Sequence, residues 1–284
     1  MSPQTPERGD PVRAEQDGAA GDMRREEWEP RPEAPRLGDD EIHLWRVRLD
    51  QPAEVYSACL YTLTADERER AGRFHFDRHR RQFVISRGAL RSVLGHYLDR
   101  PPSRLRFVYS SFGKPAVEGE EGPECLRFNL SHAEGMALIA LTRGKEVGVD
   151  VEVVREEFPG MEIAQDYFSA REVRTLRSLP EEARAAAFFL YWTRKEAYIK
   201  AIGEGLSHSL QQFSVSLGDG ESSVLAEPEG VAPGASTWTV KGLSVGESHA
   251  AAVAFRGPVT NFRFWQWDAA LLDKRTAFVS RPAS

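Results

Sequence analysis

The chain has 284 residues, 41% hydrophobic and 28% charged, an ordinary globular mixture that excludes a collagen-like, wholly disordered or disulfide-stapled chain. Its formal charge of -6 speaks against a general nucleic-acid binder. No stretch approaches the ~18 consecutive apolar residues of a membrane span, and no basic-then-apolar leader opens the chain. The two distant cysteines, Cys59 and Cys125, point to a reducing cytoplasm rather than a structural zinc site.

Residues 1–38 hold six prolines, alternating charges and few large apolar side chains. Such a segment does not offset its ordering entropy, so a disordered tail outside the fold is expected there. A first strand is expected at 42–47. Thr64 and Glu67 have the spacing of a capping box, which opens a helix through 73. An apolar pattern of helical period covers 77–98 and stops at Pro101-Pro102. Strands are expected around 105–109, 126–130, 136–141 and 147–153, with a turn at 142–145 splitting the last two. Ser169 and Glu172 then repeat the capping spacing. A long helix runs over 181–202 and ends at Gly203, and strands follow at 213–217, 237–240, 250–255 and 262–267.

Ser92-Val-Leu-Gly95 aligns with Lys200-Ala-Ile-Gly203, a weak internal repeat at an offset of 108. The pattern predicts an α+β fold of two similar α/β subdomains. Each is a small, mainly antiparallel sheet packed on a long helix, and a ligand cleft lies between them. The expected division is a tail over 1–38, subdomains over 39–148 and 149–270, and a second tail over 271–284.

Charge is unevenly spread. Arginines 68, 70, 73, 78, 80, 81, 87 and 91 face only Glu69 and Asp77 over the same span. This is either a solvated helix face or a site for an anion with several phosphates. With 31 arginines and six lysines, each lysine merits scrutiny. In Val147-Gly-Val-Asp-Val-Glu152 the alternation of a strand puts Asp150 and Glu152 on one face. Two such carboxylates suit either solvent or a hard divalent ion such as Mg2+, which takes few carboxylates plus phosphate oxygens and water. Glu196 and Lys200 are four apart, hence on one helix face, after Phe189, Tyr191 and Trp192 and before Gly203 and Gly205. They form either a surface ion pair or a site. Ser131 and His132 end a strand and follow the turn Gly113-Lys114-Pro115. The histidine is either structural or a phosphate donor. Neither GxGxxG nor GxxxxGK[ST] occurs, which disfavours dinucleotide-fold and P-loop readings.

Gly148-Val-Asp150-Val-Glu152 and Trp192-x-x-Lys195-Glu196-x-x-x-Lys200-x-x-Gly203-x-Gly205-Leu206 resemble the two signature motifs of the 4'-phosphopantetheinyl transferase superfamily, in its surfactin-synthetase-activating, pseudo-dimeric type. Gly113-Lys114-Pro115 and Asn129-Leu130-Ser131-His132 resemble its intermediate motifs, in the expected order over roughly 42–268. The resemblance implies a cytoplasmic, monomeric, Mg2+-dependent transferase. It would move the 4'-phosphopantetheine arm of coenzyme A, its co-substrate, to a serine of an apo acyl or peptidyl carrier protein and release 3',5'-ADP. No nucleic acid and no membrane are implied as partners. Asp150, Glu152 and Glu196 would hold the metal. Lys200 would neutralise the pyrophosphate, with Asp150 beside it in the coenzyme site, and Glu196 or a metal-held water would be the base. Gly113, Lys114, Pro115 and Ser131 would border adenine and ribose, and His132 would reach a phosphate. Gln82 stands where relatives often carry arginine, so Arg81 and Arg87 are the expected 3'-phosphate clamp. The Arg68–Arg91 surface, or a rim near Lys195, would steer the carrier. Two other readings are a non-catalytic adaptor that binds coenzyme A or carrier proteins, and an unrelated Mg2+-dependent hydrolase.

Overall fold

The computed structural model describes residues 26–33, 35–203, 209–217, 223–224, 238–259 and 261–272. The N-terminal half contains β2 (Glu41–Arg48), α1 (Ala53–Thr62), α2 (Ala65–Gly72), α3 (Asp77–Leu98), the hairpin β3 (Phe107–Tyr109) and β4 (Pro115–Val117), then β5 (Leu126–Ala133) and β6 (Met136–Arg143). The C-terminal half contains β7 (Val147–Val153), α4 (Gly160–Tyr167), α5 (Ala170–Ser178), α6 (Glu181–Ile202), β8 (Ser223–Val224), β9 (Trp238–Leu243) and β10 (His249–Arg256). β1 (Glu29–Pro30) and β11 (Asn261–Gln266) flank the first sheet, whose order is β1-β11-β2-β6-β5. The second sheet runs β7-β10-β9-β8. No described helix is long and apolar enough to cross a membrane.

Alternation along the strands builds four layers. Trp45 and Val47 of β2 face α3, whereas Ile42 and Leu44 face the second sheet. Val147, Val149 and Val151 of β7 meet them in that middle core, and Ala250, Ala252 and Ala254 of β10 pack under α6. The order is therefore helix, sheet, sheet, helix. Gly148 lies on the α6 side, where an added Cβ would sit 2.1 Å from the Ala197 carbonyl oxygen. A side chain there would force α6 away from β7.

The two halves are copies. β2 pairs with β6 and β6 with β5, all antiparallel, as β7 pairs with β10 and β10 with β9. α3 and α6 both have 22 residues, and both stop at a residue in the left-handed region, Asp99 (φ 51) and Gly203 (φ 77). These stops are 104 residues apart, so the expected offset of 108 is corrected. Gly95, which suggested it, lies inside α3, where an added Cβ would meet the Arg100 carbonyl oxygen at 2.6 Å.

Three further expectations change. β11 lies within 149–270 yet pairs in parallel with β2 of the first sheet, and β7 opens the second sheet at Val147. Described residues from 26 onward do not form a tail outside the fold. Trp28 meets Phe264 edge-on at 5.3 Å, β1 joins β11, and Leu37 is buried in the first core. Residues 1–25 lie outside the described residues. At the other end Leu271 is buried against the first core, while 273–284 are outside the described residues. Finally, 213–217 forms no regular strand: after a helical turn at Leu210–Gln212 it runs extended, with one bridge at Ser214.

Candidate active site

The candidate site forms where β7, the end of β5 and the last turns of α6 meet. Ser131, one residue before His132 near the end of β5, donates to Asp150 Oδ1 at 2.8 Å. Lys200 Nζ donates to the same oxygen at 2.6 Å and to Ser131 Oγ at 2.9 Å. Asn129 Oδ1 accepts the Val149 N–H at 2.9 Å, which ties the edge of β5 to β7 and sets Ser131 beside Asp150. Asp150 is 2% exposed, and its Oδ2 is buried without a hydrogen-bond partner. An orphaned carboxylate oxygen of this kind calls for an explanation, an ion among them.

Glu152 and Glu196 complete the cluster electrostatically. Burial, and then the negative charge of Asp150, raise both carboxyl groups above their ordinary range; Lys200 opposes this. Among the described residues no three His, Cys, Asp or Glu side chains form a ready-made metal cage. Mg2+ does not require one, because one or two carboxylates suffice when phosphate and water supply the rest. The donor set therefore fits such an ion when it arrives with a phosphate.

Lys195 does not lie on a rim. It is fully buried, pairs with Glu172 at 2.9 Å, and donates to the carbonyls of Leu210 and Phe213. Burial lowers its pKa, opposed by Glu172. Its role is to moor α6, so that Glu196 and Lys200 stand over β7. Gly205 and Leu206 of the same motif are outside the described residues.

A second cavity, of about 390 Å3, opens between the β3–β4 hairpin and the end of α6, lined by residues that include Tyr109, Lys114, Pro115, Phe128 and Gly203. Gly113 supplies the hairpin's left-handed turn (φ 83). Lys114 Nζ donates to Glu146 and to the Ala201 carbonyl, each at 2.6 Å, so it joins the hairpin to α6 rather than facing Asp150. Ser131 was expected to border a nucleoside; it stands instead on Asp150 and Lys200. His132 is exposed beside this cluster. Desolvation, then the charges of Lys200 and Arg70, hold its pKa below the ordinary value, so it is neutral at pH 7.

The expected clamp of Arg81 and Arg87 is not formed. Arg81 donates to the Gln51 carbonyl and covers the Tyr56 ring on the α1 side. Arg87 is buried against Glu67 and Phe107. It reaches the second cavity only through Tyr109, whose hydroxyl accepts from it at 2.8 Å. Glu67 binds Arg91 as well, at 2.7 Å, so two of the eight clustered arginines belong to the core. Sequence reasoning missed Tyr109 and Glu146 as partners. Glu67 had a visible signal, its capping spacing, but that signal said nothing of the arginines.

A family model described as 4'-phosphopantetheinyl transferase superfamily matches residues 146–254, and one described as 4'-phosphopantetheinyl transferase, N-terminal, matches 50–143. Together they meet at the β6–β7 junction. The chain is 38% identical over 245 residues to the 4'-phosphopantetheinyl transferase HetI of Nostoc sp., covering 86% of this chain and all of that one. It is 31% identical over 193 residues to psf-1 of Bacillus pumilus (68% of this chain, 78% of that one) and 28% identical over 186 residues to Sfp of Bacillus subtilis (64% and 80%). The chain belongs to the 4'-phosphopantetheinyl transferase superfamily. It is a phosphopantetheinyl transferase of the duplicated, Sfp-like type, and the duplication seen in the two sheets is the architecture expected of that type.

Proposed function

We propose that this phosphopantetheinyl transferase takes its arm from coenzyme A and delivers it to a serine of an apo acyl or peptidyl carrier protein, with 3',5'-ADP as the second product. The observation that carries this reading is Asp150. One of its oxygens is held by Lys200 and Ser131, the other is buried and free, and two further carboxylates lie near enough to feel its charge. A diphosphate with a divalent cation matches that combination of ammonium, hydroxyl and carboxylates.

Asp150, Glu152 and Glu196 would hold Mg2+, which supplies charge neutralisation of the diphosphate when bound. Lys200, already poised at the cluster, would neutralise the oxygen of the departing 3',5'-ADP as the P–O–P bridge breaks. The serine oxygen would form the new P–O bond to the β-phosphorus, and its proton would pass to Glu196. A carboxyl group raised above its ordinary range is better matched to that task near neutrality than an exposed one. The cavity between Tyr109, Lys114 and Gly203 would receive the nucleoside, and His132 would donate to a phosphate.

The test is incubation with coenzyme A, Mg2+ and a panel of apo-carriers, with each carrier's mass gain as the readout. Transfer is expected with the unaltered enzyme. A loss of at least a hundredfold is expected for Asp150→Asn and on chelation of the metal. Undiminished transfer by Asp150→Asn refutes the role given to this cluster.

A further inference from the structure

Arg127 of β5 has no task in the reaction above. Alternation puts it on the same strand face as Asn129 and Ser131, and it lines the cavity between the hairpin and the end of α6. Its Nε is buried without a hydrogen-bond partner. It faces Glu146 Oε1 at 3.8 Å, too far for a hydrogen bond. The other oxygen of Glu146 is held by Lys114 at 2.6 Å. Both side chains stay within reach of a ligand, at 40% and 36% exposed. An orphaned donor and an under-used acceptor thus stand side by side on one wall of the cavity.

That pairing selects among flat heterocycles. An adenine edge offers a ring-nitrogen acceptor beside a 6-amino donor, the complement of a guanidinium beside a carboxylate. A 6-oxo purine offers two acceptors there, and its oxygen would meet the Glu146 carboxylate unbonded. A phosphate suits this wall less well. Its charge would also meet Glu146, and Lys114 is already committed to Glu146 and the Ala201 carbonyl. The other walls favour a base. The Tyr109 ring, fixed at its hydroxyl by Arg87, and the apolar sides of Pro115 and Ile202 offer surface for stacking. Position agrees as well. Ser131, which touches Asp150, comes four residues after Arg127, about 13 Å along an extended strand. A ribose with its diphosphate bridges such a gap.

We propose that Arg127 and Glu146 read the purine of the donor: Arg127 donates to a ring nitrogen and Glu146 accepts from the 6-amino group. The proposal rests on the transfer reaction above, with coenzyme A as donor. It adds a choice of base that apolar walls alone do not make.

The experiment measures binding and transfer separately. Calorimetry gives the Kd of coenzyme A, of its 6-oxo (hypoxanthine) analogue and of dephospho-coenzyme A, for the unaltered enzyme, Arg127→Met and Glu146→Gln. The unaltered enzyme is expected to prefer coenzyme A to the 6-oxo analogue at least tenfold. Both variants should bring that ratio within threefold, Glu146→Gln because its amide offers the 6-oxo group a donor. A merely structural loss would weaken both ligands alike, so an unmoved ratio overturns the proposal. A ratio within twofold for the unaltered enzyme overturns it too. Weakening by Arg127→Met that is seen with coenzyme A but not with dephospho-coenzyme A assigns Arg127 to the 3'-phosphate instead, and also overturns it. Preference for the 6-amino purine without mass gain on any carrier refutes the reaction and leaves the base reading standing.

Discussion

Arg91 in α3 and Lys195 in α6 occupy one position of the duplicated unit. Each is fully buried and pairs with the capping-box glutamate of the preceding helix, Glu67 at 2.7 Å and Glu172 at 2.9 Å. Each also donates to two backbone carbonyls: Pro102 and Leu105 for Arg91, Leu210 and Phe213 for Lys195. Each stands over an aromatic ring, Phe107 or Phe213. A buried, hydrogen-bonded pair moors the long helix of each half to its flanking loop. In the C-terminal half the moored helix carries Glu196 and Lys200, the pair proposed to act on the diphosphate.

Lys195→Met should therefore act on stability. It leaves Glu172 buried with the Ser169 and Val215 N–H groups but no counter-ion, a change that costs about 3–5 kcal/mol. Chemical denaturation should show that loss, and Lys195→Arg, which copies the N-terminal half, should recover most of it. A Lys195→Met variant within 1 kcal/mol of the unaltered protein would mean that the pair is incidental.

Duplication raises the question of a second site, and the N-terminal copy answers it. The offset of 105 that places Thr64 on Ser169 also places Trp45 on Asp150. Trp45 is fully buried, and its indole donates to the Tyr97 hydroxyl. At the offset of 104 that aligns the ends of α3 and α6, Ser92 stands where α6 carries Glu196, and it accepts from the Trp267 indole at 2.9 Å. Aromatic side chains fill the copy. Calorimetric titration with coenzyme A should give one site per chain; two equal sites would contradict this assignment.

Gly148→Ala tests whether the close approach of α6 to β7 sets the chemistry. The added methyl would also lie 2.4 Å from the Ala201 backbone nitrogen, so the helix must shift. Overpacking of this kind costs about 1–3 kcal/mol. Displacing Lys200 from Asp150 should lower transfer at least tenfold at saturating substrate. Wild-type turnover by a stably folded Gly148→Ala would show that the spacing is not needed.

Much of this was legible in the sequence where the signal is local. The long helix over 181–202, both capping boxes and the shared face of Asp150 and Glu152 follow from periodicity and spacing alone. What was not legible depends on distant partners. Lys195 reads as a surface cation until Glu172 closes on it. Arg87 reads as a phosphate ligand until Glu67 and Phe107 take it. The return of β11 to pair with β2 joins segments some two hundred residues apart, and no local pattern encodes that. Trp28 and Leu37 were lost among prolines, although Trp28 packs against Phe264 and Leu37 is buried in the first core.

The cluster of Glu67 with Arg87 and Arg91 should govern acid stability. Burial raises the Glu67 pKa, but hydrogen bonds and charge from Arg91 and Arg87 outweigh it, and the carboxyl group lies below its ordinary value. A group depressed in the folded state stabilises fully above its unfolded pKa, about 4.3, and loses that contribution as pH falls toward the folded value. Unfolding free energy measured in denaturant should thus fall below about pH 5. In Glu67→Gln the two arginines remain buried without a counter-ion, so stability near pH 7 should drop by about 3–5 kcal/mol. The difference between the two proteins should narrow as the pH is lowered toward 3. A difference that is flat from pH 7 to 3 would show that Glu67 is not held ionised by its arginines.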